Sequence, residues 1–339
     1  VGRISRCHSP GQRMSTRRRA IYAGRLMMSE YRHERIAMST TMSVIEELDF
    51  EREGRDWPLR EHSRFVDCAA TRVHVQEVGS GPSLILIHGT GASTHSWRDV
   101  IPLLAEDFRV IALDLPGHGF SQDLGDTPLS LAAMAAAVDR LLTCLEVRPD
   151  MIVGHSAGGA VAAQLATAHA REPDVIMTFN AAILPFPGVA GWLFPSLARL
   201  VFANPFAARF FANQARERRA VERLLRNTGS QIGEAGTALY QRLFTARAHV
   251  AATLDMMASW DLDALEARLG TLDVPLHLVV AGEDRAIPPE RGLETARRVP
   301  MATTEFKKGL GHLAHEEEPA WAADAIRRCW QTHARDREI

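Results

Sequence analysis

The segment Gly154-His155-Ser156-Ala157-Gly158 follows the apolar run Met151–Val153 and precedes an alanine-rich stretch typical of a helix. A G-x-S-x-G pattern between a buried strand and a helix is typical of a nucleophile elbow, the sharp turn that presents a reactive serine. The residues two before and two after the serine must be small, and glycine occupies both positions. The helix N-terminus beneath the serine favours negative charge that develops above it. We therefore predict that Ser156 is a nucleophile, the alternative being a glycine-rich turn that merely contains a serine.

Apolar strands alternate with helices on both sides of this turn. Arg72–Val78 alternates in polarity, and the other strand-like runs are Leu84–Ile87, Arg109–Leu113, Val175–Phe179, Leu276–Ala281 and Thr303–Phe306. Strands that are apolar throughout and joined by helices indicate a mostly parallel sheet buried on both faces. We predict an α/β protein of the α/β-hydrolase fold, with an eight-stranded, mostly parallel sheet, helices on both faces and a helical cap inserted before the seventh strand.

The predicted domain boundaries follow changes in composition. Residues 1–55 are interpreted as a largely disordered N-terminal extension from a misplaced start, since 1–41 hold nine arginines and few apolar side chains. The hydrolase core is assigned to 56–184 and 269–335, and the cap to 185–268. Within and beside the cap, 181–198 is uncharged but contains three prolines and two glycines. A membrane-spanning helix is therefore a poor interpretation, whereas contact with a membrane surface stays open.

The composition excludes several classes of function. A net charge of −2 gives no indication of nucleic-acid binding. Four widely spaced cysteines argue against a disulfide framework or a zinc site and favour a reducing compartment. No metal-binding or nucleotide-binding motif is found, so we predict neither metal nor cofactor. We expect a cytoplasmic protein, with a peripheral association with photosynthetic membranes as a further hypothesis.

A serine hydroxyl needs a base and an acid that orients the base, in the chain order serine, acid, histidine for this fold. Asp284 directly follows the strand Leu276–Ala281 and is our predicted acid, with its neighbour Glu283 as the alternative. His312 follows the last strand in a glycine-containing loop and is the predicted base, with His315 as the alternative. The other usual position for the acid, directly after the preceding strand, holds Asn180, which offers no carboxylate.

Hydrolysis also needs N–H donors for an oxyanion. We predict the backbone N–H of Ala157 as one donor. The second is predicted in the loop after Leu84–Ile87, at Thr90 or else at Gly91. His88 and His155 are expected to brace this region rather than react.

Beyond the fold, the sequence resembles the magnesium chelatase accessory proteins of bacteriochlorophyll synthesis, the BchO type, from about Asp56 to Pro319. The resemblance includes cap segments, which vary most among hydrolases. The segments that carry it are Asp56-Trp57-Pro58, Arg64-Phe65-Val66, HGTGASTHSW (88–97), NAAILPFPG (180–188), LLRNTGS (224–230), Met256-Met257, Trp260-Asp261-Leu262 and GHLAHEE (311–317). The resemblance implies a role near magnesium insertion into protoporphyrin and a functional link to magnesium chelatase. It supplies no defined reaction.

The cap composition can be compared with what a porphyrin would need. Seven arginines lie between Arg199 and Arg226, against Glu217 and Glu222. Guanidinium groups bind propionates and aromatic faces pack on flat rings, so a porphyrin site would require rim arginines and an aromatic pocket. A solvated helix face is nevertheless the favoured interpretation of these arginines. The predicted substrate-binding residues are Phe120, Phe186, Trp192, Phe194 and Phe210.

Three functions remain open from the sequence. The first is a serine hydrolase acting on an ester or related acyl compound of the tetrapyrrole pathway. The second is a carboxylesterase or C–C-bond hydrolase acting on an unrelated small substrate. The third is a non-catalytic, tetrapyrrole-binding helper of the chelatase.

Overall fold

The structure is a computed structural model that describes residues 47–69, 71–168, 170–185 and 205–334. Its strands are β1 Ser63–Cys68, β2 Thr71–Val78, β3 Ser83–Ile87, β4 Arg109–Leu113, β5 Met151–His155, β6 Val175–Phe179, β7 Leu276–Ala281 and β8 Ala302–Lys307. Its α-helices are α1 Ile101–Leu104, α2 Leu131–Cys144, α3 Ala157–Thr167, α4 Pro205–Gln214, α5 Arg218–Asn227, α6 Glu234–Thr245, α7 Arg247–Ser259, α8 Asp263–Glu266, α9 Pro289–Arg298, α10 Ala314–Glu317 and α11 Pro319–Ala334.

The eight strands form one sheet in the order β1-β2-β4-β3-β5-β6-β7-β8. β2 pairs antiparallel with β1 and β4, and every other neighbouring pair is parallel. The predicted fold class is confirmed, and most predicted strands end within two residues of the observed ones. The strand missed by the sequence is β1, whose residues alternate poorly in burial because it lies at the sheet edge.

Parallel strands that are buried on both faces explain the apolar runs. β5 and β6 are buried along their whole length. One cluster of buried side chains, including Ile85, Ile152 and Val161, fills one face, and another, including Leu86, Val153 and Ile326, fills the other. The sheet is therefore a rigid platform whose strand ends can hold reactive groups in place.

The interval between β6 and β7 contains the helices α4–α8 and, among the described residues, no strand. These helices lie within the segment assigned to the cap. Of the predicted N-terminal extension, 1–46 lie outside the described residues, whereas 47–55 form turns on the domain. The Phe50 ring lies 5.3 Å from Phe65 and 5.0 Å from Phe120, so this part is packed.

The sequence argued against a disulfide framework, and the structure pairs two cysteines among the described residues. Cys68, at the end of β1, pairs with Cys144, the last residue of α2, with their Cα atoms 6.1 Å apart. The two residues are 76 positions apart, so only the packing of α2 against β1 brings them together. Cysteine spacing therefore gives no guide to the redox compartment here.

Candidate active site

The Ser156 turn has the strained geometry that an elbow requires. Ser156 has φ +50° and ψ −116°, values that a residue with a side chain adopts only when its surroundings impose them. Its N–H donates to the carbonyl of Phe179 at 3.0 Å. A Cβ at Gly158 would lie 2.2 Å from the carbonyl oxygen of Ile87, and one at Gly154 would lie 2.4 Å from that of Gly158. Both glycines are thus required by close backbone contact.

Asp284 and His312 form a buried hydrogen bond. The His312 Nδ1–H donates to Asp284 Oδ2 at 2.8 Å, and the side chains are only 10% and 1% exposed. The second carboxylate oxygen, Oδ1, accepts from the N–H groups of Ala286 and Ile287 at 2.8 Å each. Both oxygens are therefore fixed, and His312 keeps Nε2 available to accept a proton.

The alternative acid and base are placed differently. Glu283 is exposed, whereas its neighbour Asp284 is buried. His315 is fully buried and packs against Trp97 and His155, with ring centroids 4.3 and 4.5 Å away. Burial lowers the pKa of His315 to about 3, and this residue is absent from the cavity lining described below. The geometry therefore favours Asp284 and His312.

Asn180 is a site residue that the sequence reasoning missed. Its Nδ2 donates to the carbonyls of Gly311 and His312 at 3.0 and 2.9 Å, and its Oδ1 accepts from the N–H of Ala281 at 2.8 Å. His155 Nε2 donates to the same His312 carbonyl at 2.9 Å. Asn180 has φ +50°, which asparagine tolerates better than most residues. An asparagine directly after a buried strand was the available signal.

The predicted oxyanion donors meet around Ser156. Thr90, Gly91 and Ala157 all line the same cavity as Ser156 and His312. Ala157 is the first residue of α3, so its N–H has no acceptor within the helix. No acceptor is found among the described residues for the N–H groups of Thr90 and Gly91. These amides therefore remain free to bind a developing negative charge.

Two buried histidines form hydrogen bonds with the loop that follows β3 and contains Thr90 and Gly91. His88 Nδ1–H donates to the carbonyl of Gly89 at 2.8 Å, while its Nε2 accepts from the N–H of Leu115 at 2.9 Å. His249 of α7 donates from Nε2 to the carbonyl of Gly91 at 3.1 Å. Burial lowers the pKa of both histidines, for His249 to about 4, so both stay neutral near pH 7.

A cavity of about 960 Å³ lies over Ser156. This volume is at the upper end of the range for small-molecule sites. Its lining is mostly apolar, and cap residues supply much of it, including Phe211, Val221, Leu225, Phe244, Leu254, Met257 and Trp260. Asp261 and Asp263 are the acidic lining residues, and the described lining contains no arginine or lysine. The cavity therefore suits an uncharged apolar group better than an anion.

The predicted substrate-binding aromatics separate into three groups. Phe210 lines the cavity. Phe120 does not, and this prediction was wrong: it packs in a cluster with Trp57 at 4.9 Å and Phe50 at 5.0 Å. Phe186, Trp192 and Phe194 lie outside the described residues.

The arginine rim that a porphyrin site would require is absent from the described part of the cap. Arg218 pairs with Glu222 and Glu234, and the other described arginines of this segment are exposed and line no part of the cavity. These others are Arg209, Arg216, Arg219, Arg223 and Arg226. Arg199 lies outside the described residues. The six described arginines therefore fit the favoured interpretation, a solvated helix face, because apolar side chains of the same helices, such as Val221 and Leu225, face the cavity.

Neither a metal centre nor a membrane-spanning helix is found among the described residues. No group of three or more His, Cys, Asp or Glu side chains there is arranged to hold a metal ion. None of the helices described combines the length and apolar character needed to cross a bilayer.

Comparison with known proteins identifies the family. The model for the alpha/beta hydrolase fold matches residues 82–319, and the chain therefore belongs to the alpha/beta hydrolase family. An alpha/beta hydrolase fold protein from Burkholderia ambifaria aligns with a TM-score of 0.65 at 25% identity, covering 78% of this chain and 99% of that one.

Sequence relatives narrow this family further. The magnesium-chelatase 30 kDa subunit of Rhodobacter capsulatus is 43% identical over 236 residues, which cover 70% of this chain and 82% of the relative. The predicted resemblance to that group is confirmed. A pimeloyl-[acyl-carrier protein] methyl ester esterase of Methylococcus capsulatus is 31% identical over 66% of this chain and 84% of its own length.

Proposed function

We propose that this protein is a serine hydrolase that cleaves an uncharged, largely apolar acyl ester in a step near magnesium insertion into a tetrapyrrole. The observation that carries the proposal is the 2.8 Å hydrogen bond between Asp284 and His312 at the cavity that also exposes Ser156. This combination of acid, imidazole and strained serine is what acyl transfer through an enzyme ester requires.

The proposed reaction proceeds in two halves. Ser156 Oγ attacks the ester carbonyl while His312 Nε2 takes its proton, and Asp284 stabilises the resulting imidazolium. The N–H groups of Ala157 and of Thr90 or Gly91 bind the oxyanion. The tetrahedral species expels the alcohol, which receives the proton from His312. Water, activated by the same imidazole, then attacks the acyl-serine, releases the carboxylic acid and restores the Ser156 hydroxyl.

The lining of the cavity supports an uncharged substrate. An apolar wall would desolvate a carboxylate without compensating it, and Asp261 and Asp263 would repel it. A tetrapyrrole bound here would therefore present an esterified rather than a free acidic side chain. The chelatase subunit named among the relatives supports the functional link to magnesium insertion, and the named methyl ester esterase supports ester cleavage.

Contact with a membrane surface stays a prediction, as do a cytoplasmic location and an association with photosynthetic membranes. The cavity-lining residues Phe210 and Leu224 are 57% and 51% exposed, so part of the cavity wall faces outward. An exposed apolar group of this kind is compatible with an interfacial substrate.

Covalent labelling tests the proposal. A fluorophosphonate should add one phosphonyl group to the wild-type chain at Ser156, as measured by intact mass and peptide mapping. Ser156→Ala should abolish both labelling and ester hydrolysis, because it removes the nucleophile, while its melting curve stays that of the wild type.

The outcomes separate the alternatives. A wild-type chain that neither labels nor cleaves any ester would favour the non-catalytic, tetrapyrrole-binding helper. A labelled enzyme that rejects tetrapyrrole esters but cleaves short unrelated esters would favour a general carboxylesterase. Profiling the tetrapyrroles of a Ser156→Ala strain beside a deletion strain would show whether catalysis is needed in the cell.

A further inference from the structure

The cap turn, which we define as Thr228–Gln231 after α5, contacts the loops of both the acid and the base. The carbonyl of Thr228 accepts a hydrogen bond from the N–H of Arg285 at 3.0 Å and from the N–H of His312 at 3.4 Å. Arg285 is the residue after Asp284. The carbonyl of Thr228 therefore links the backbone segments that carry Asp284 and His312.

The next residues of the cap turn add two contacts to the base loop. Ser230 Oγ accepts from the N–H of Leu313 at 2.7 Å, and Ser230 is 1% exposed. The N–H of Gln231 donates to Glu317 Oε2 at 3.1 Å, while Glu317 Oε1 accepts from the N–H of Gly311 at 2.9 Å. The backbone around His312 is thus tied to the cap on this side, as Asn180 and His155 tie it to the sheet on the other.

The cap turn requires glycine because its backbone lies very close to the loops that carry Asp284 and His312. Gly229 has φ +90°, and a Cβ there would lie 1.9 Å from the carbonyl oxygen of Glu283. A Cβ at Gly311 would in turn lie 2.3 Å from the carbonyl carbon of Gly229. The segment LLRNTGS (224–230), one of those that carry the family resemblance, ends in these contacts.

We propose that the cap turn positions the catalytic pair, so that the cap acts on the chemistry as well as on substrate binding. Thr228, Gly229 and Ser230 are positioning residues: they act through the backbones of Asp284 and His312. The proposal rests on the serine hydrolase function above. Small misplacements of a catalytic group cost far more in rate than in substrate binding, so damage to the cap turn should lower kcat and spare KM.

Two variants and two matched controls test this. Gly229→Ala introduces the clash, and Gly233→Ala is its control, since an added Cβ at Gly233 meets nothing within 4 Å. Ser230→Ala removes one buried acceptor with less risk to folding. Its control is Thr237→Ala, because the buried Thr237 hydroxyl bonds only within its own helix region, to Gly233 O at 3.1 Å.

The readouts are ester kinetics, the rate of fluorophosphonate labelling and amide hydrogen exchange in the full chain. We expect Ser230→Ala and Gly229→Ala to lower kcat and the labelling rate by about 10- to 100-fold with KM within about threefold. Exchange of the amides of 311–313 should accelerate in both variants, while Gly233→Ala and Thr237→Ala leave both rate and exchange unchanged.

Two results would overturn the positioning role. The first is a Ser230→Ala enzyme that keeps wild-type kcat and exchange. The second is a loss of activity confined to KM, which would make the cap turn part of substrate binding only. If the wild-type chain proves unreactive, the hydrolase proposal fails by itself. Exchange at 311–313 then still decides whether the cap turn holds the loop.

Discussion

The sheet core and the cap handle polar groups in opposite ways. Around Ser156 and His312 the core buries its polar atoms and pairs many of them, as the two oxygens of Asp284 illustrate. The cap instead turns arginines such as Arg223 to solvent and lines the cavity with apolar side chains such as Leu225. Under the proposed function, this difference assigns the reaction to the core and the choice of acyl group to the cap, whose turn at Thr228–Gln231 we propose to align the reacting groups.

The largest expected effect is at the core. Asp284→Asn should lower kcat by about 10⁴-fold, because the amide stabilises the wrong tautomer of His312 and no imidazolium partner remains. The relative kcat/KM values for short and long acyl esters should stay the same, since Asp284 is not among the residues that line the cavity. Steady-state kinetics with an ester series measures both quantities.

The matched variant is Glu283→Gln, which changes the exposed neighbour of Asp284. It should keep wild-type kcat. If Asp284→Asn instead loses less than about tenfold and Glu283→Gln loses more, the acid has been misassigned.

An intermediate effect concerns the buried imidazole beneath His312. Neither ring nitrogen of His315 has a hydrogen-bond partner among the described residues. Burial lowers the pKa of His315 from 6.5 to about 3. Below pH 6.5, His315 is therefore protonated in the unfolded chain but stays neutral in the folded chain. As a result, His315 makes the free energy of unfolding fall as the pH drops from 6.5 towards 3.

Replacing His315 by phenylalanine keeps an aromatic ring but removes the group that binds the proton. Between about pH 8 and about pH 5, the free energy of unfolding should fall about 2 kcal/mol less in His315→Phe than in the wild type. Urea unfolding at the two pH values measures the difference, and the measurement near pH 8 is the control for packing. Equal pH dependence in the two proteins would mean that His315 is protonated in the folded state.

The smallest effect is expected in the cap. Phe210→Ala should raise KM for long apolar acyl esters about three- to tenfold, because it removes apolar surface from the cavity wall. Labelling by a small fluorophosphonate should hardly change. Phe206→Ala is the matched control, since Phe206 lies on the same helix, is 56% exposed and does not line the cavity. Equal KM changes in both variants would remove Phe210 from the substrate site.

Much of the core could be predicted because its signals are local. Apolar runs such as Leu276–Ala281 predict buried strands, and the elbow glycines Gly154 and Gly158 are dictated by a turn of five residues. The order of serine, acid and histidine then selected Asp284 and His312. The structure brings these two together as that order predicts.

The cap was predicted less well because its signals are not local. An arginine count does not tell which side of a helix faces a cavity, so the sequence could not decide between an arginine rim and a solvated helix face. Phe120 was wrong for a different reason: it follows β4 in the core, where it packs against Trp57 and Phe50. The Cys68–Cys144 pair was missed because the two cysteines are 76 residues apart, and no sequence pattern indicates that they meet in the fold.

The sequence by itself determined the family, the sheet, the nucleophile elbow and the chain order of acid and base, since each rests on neighbouring residues or on strand ends. Only the tertiary structure decided that Asn180 and the carbonyl of Thr228 hold His312 from opposite sides. These contacts join His312 to residues 132 and 84 positions away in the chain, and both end on backbone groups of His312, which every residue carries. Their partners are therefore fixed by packing rather than by the identity of the side chains.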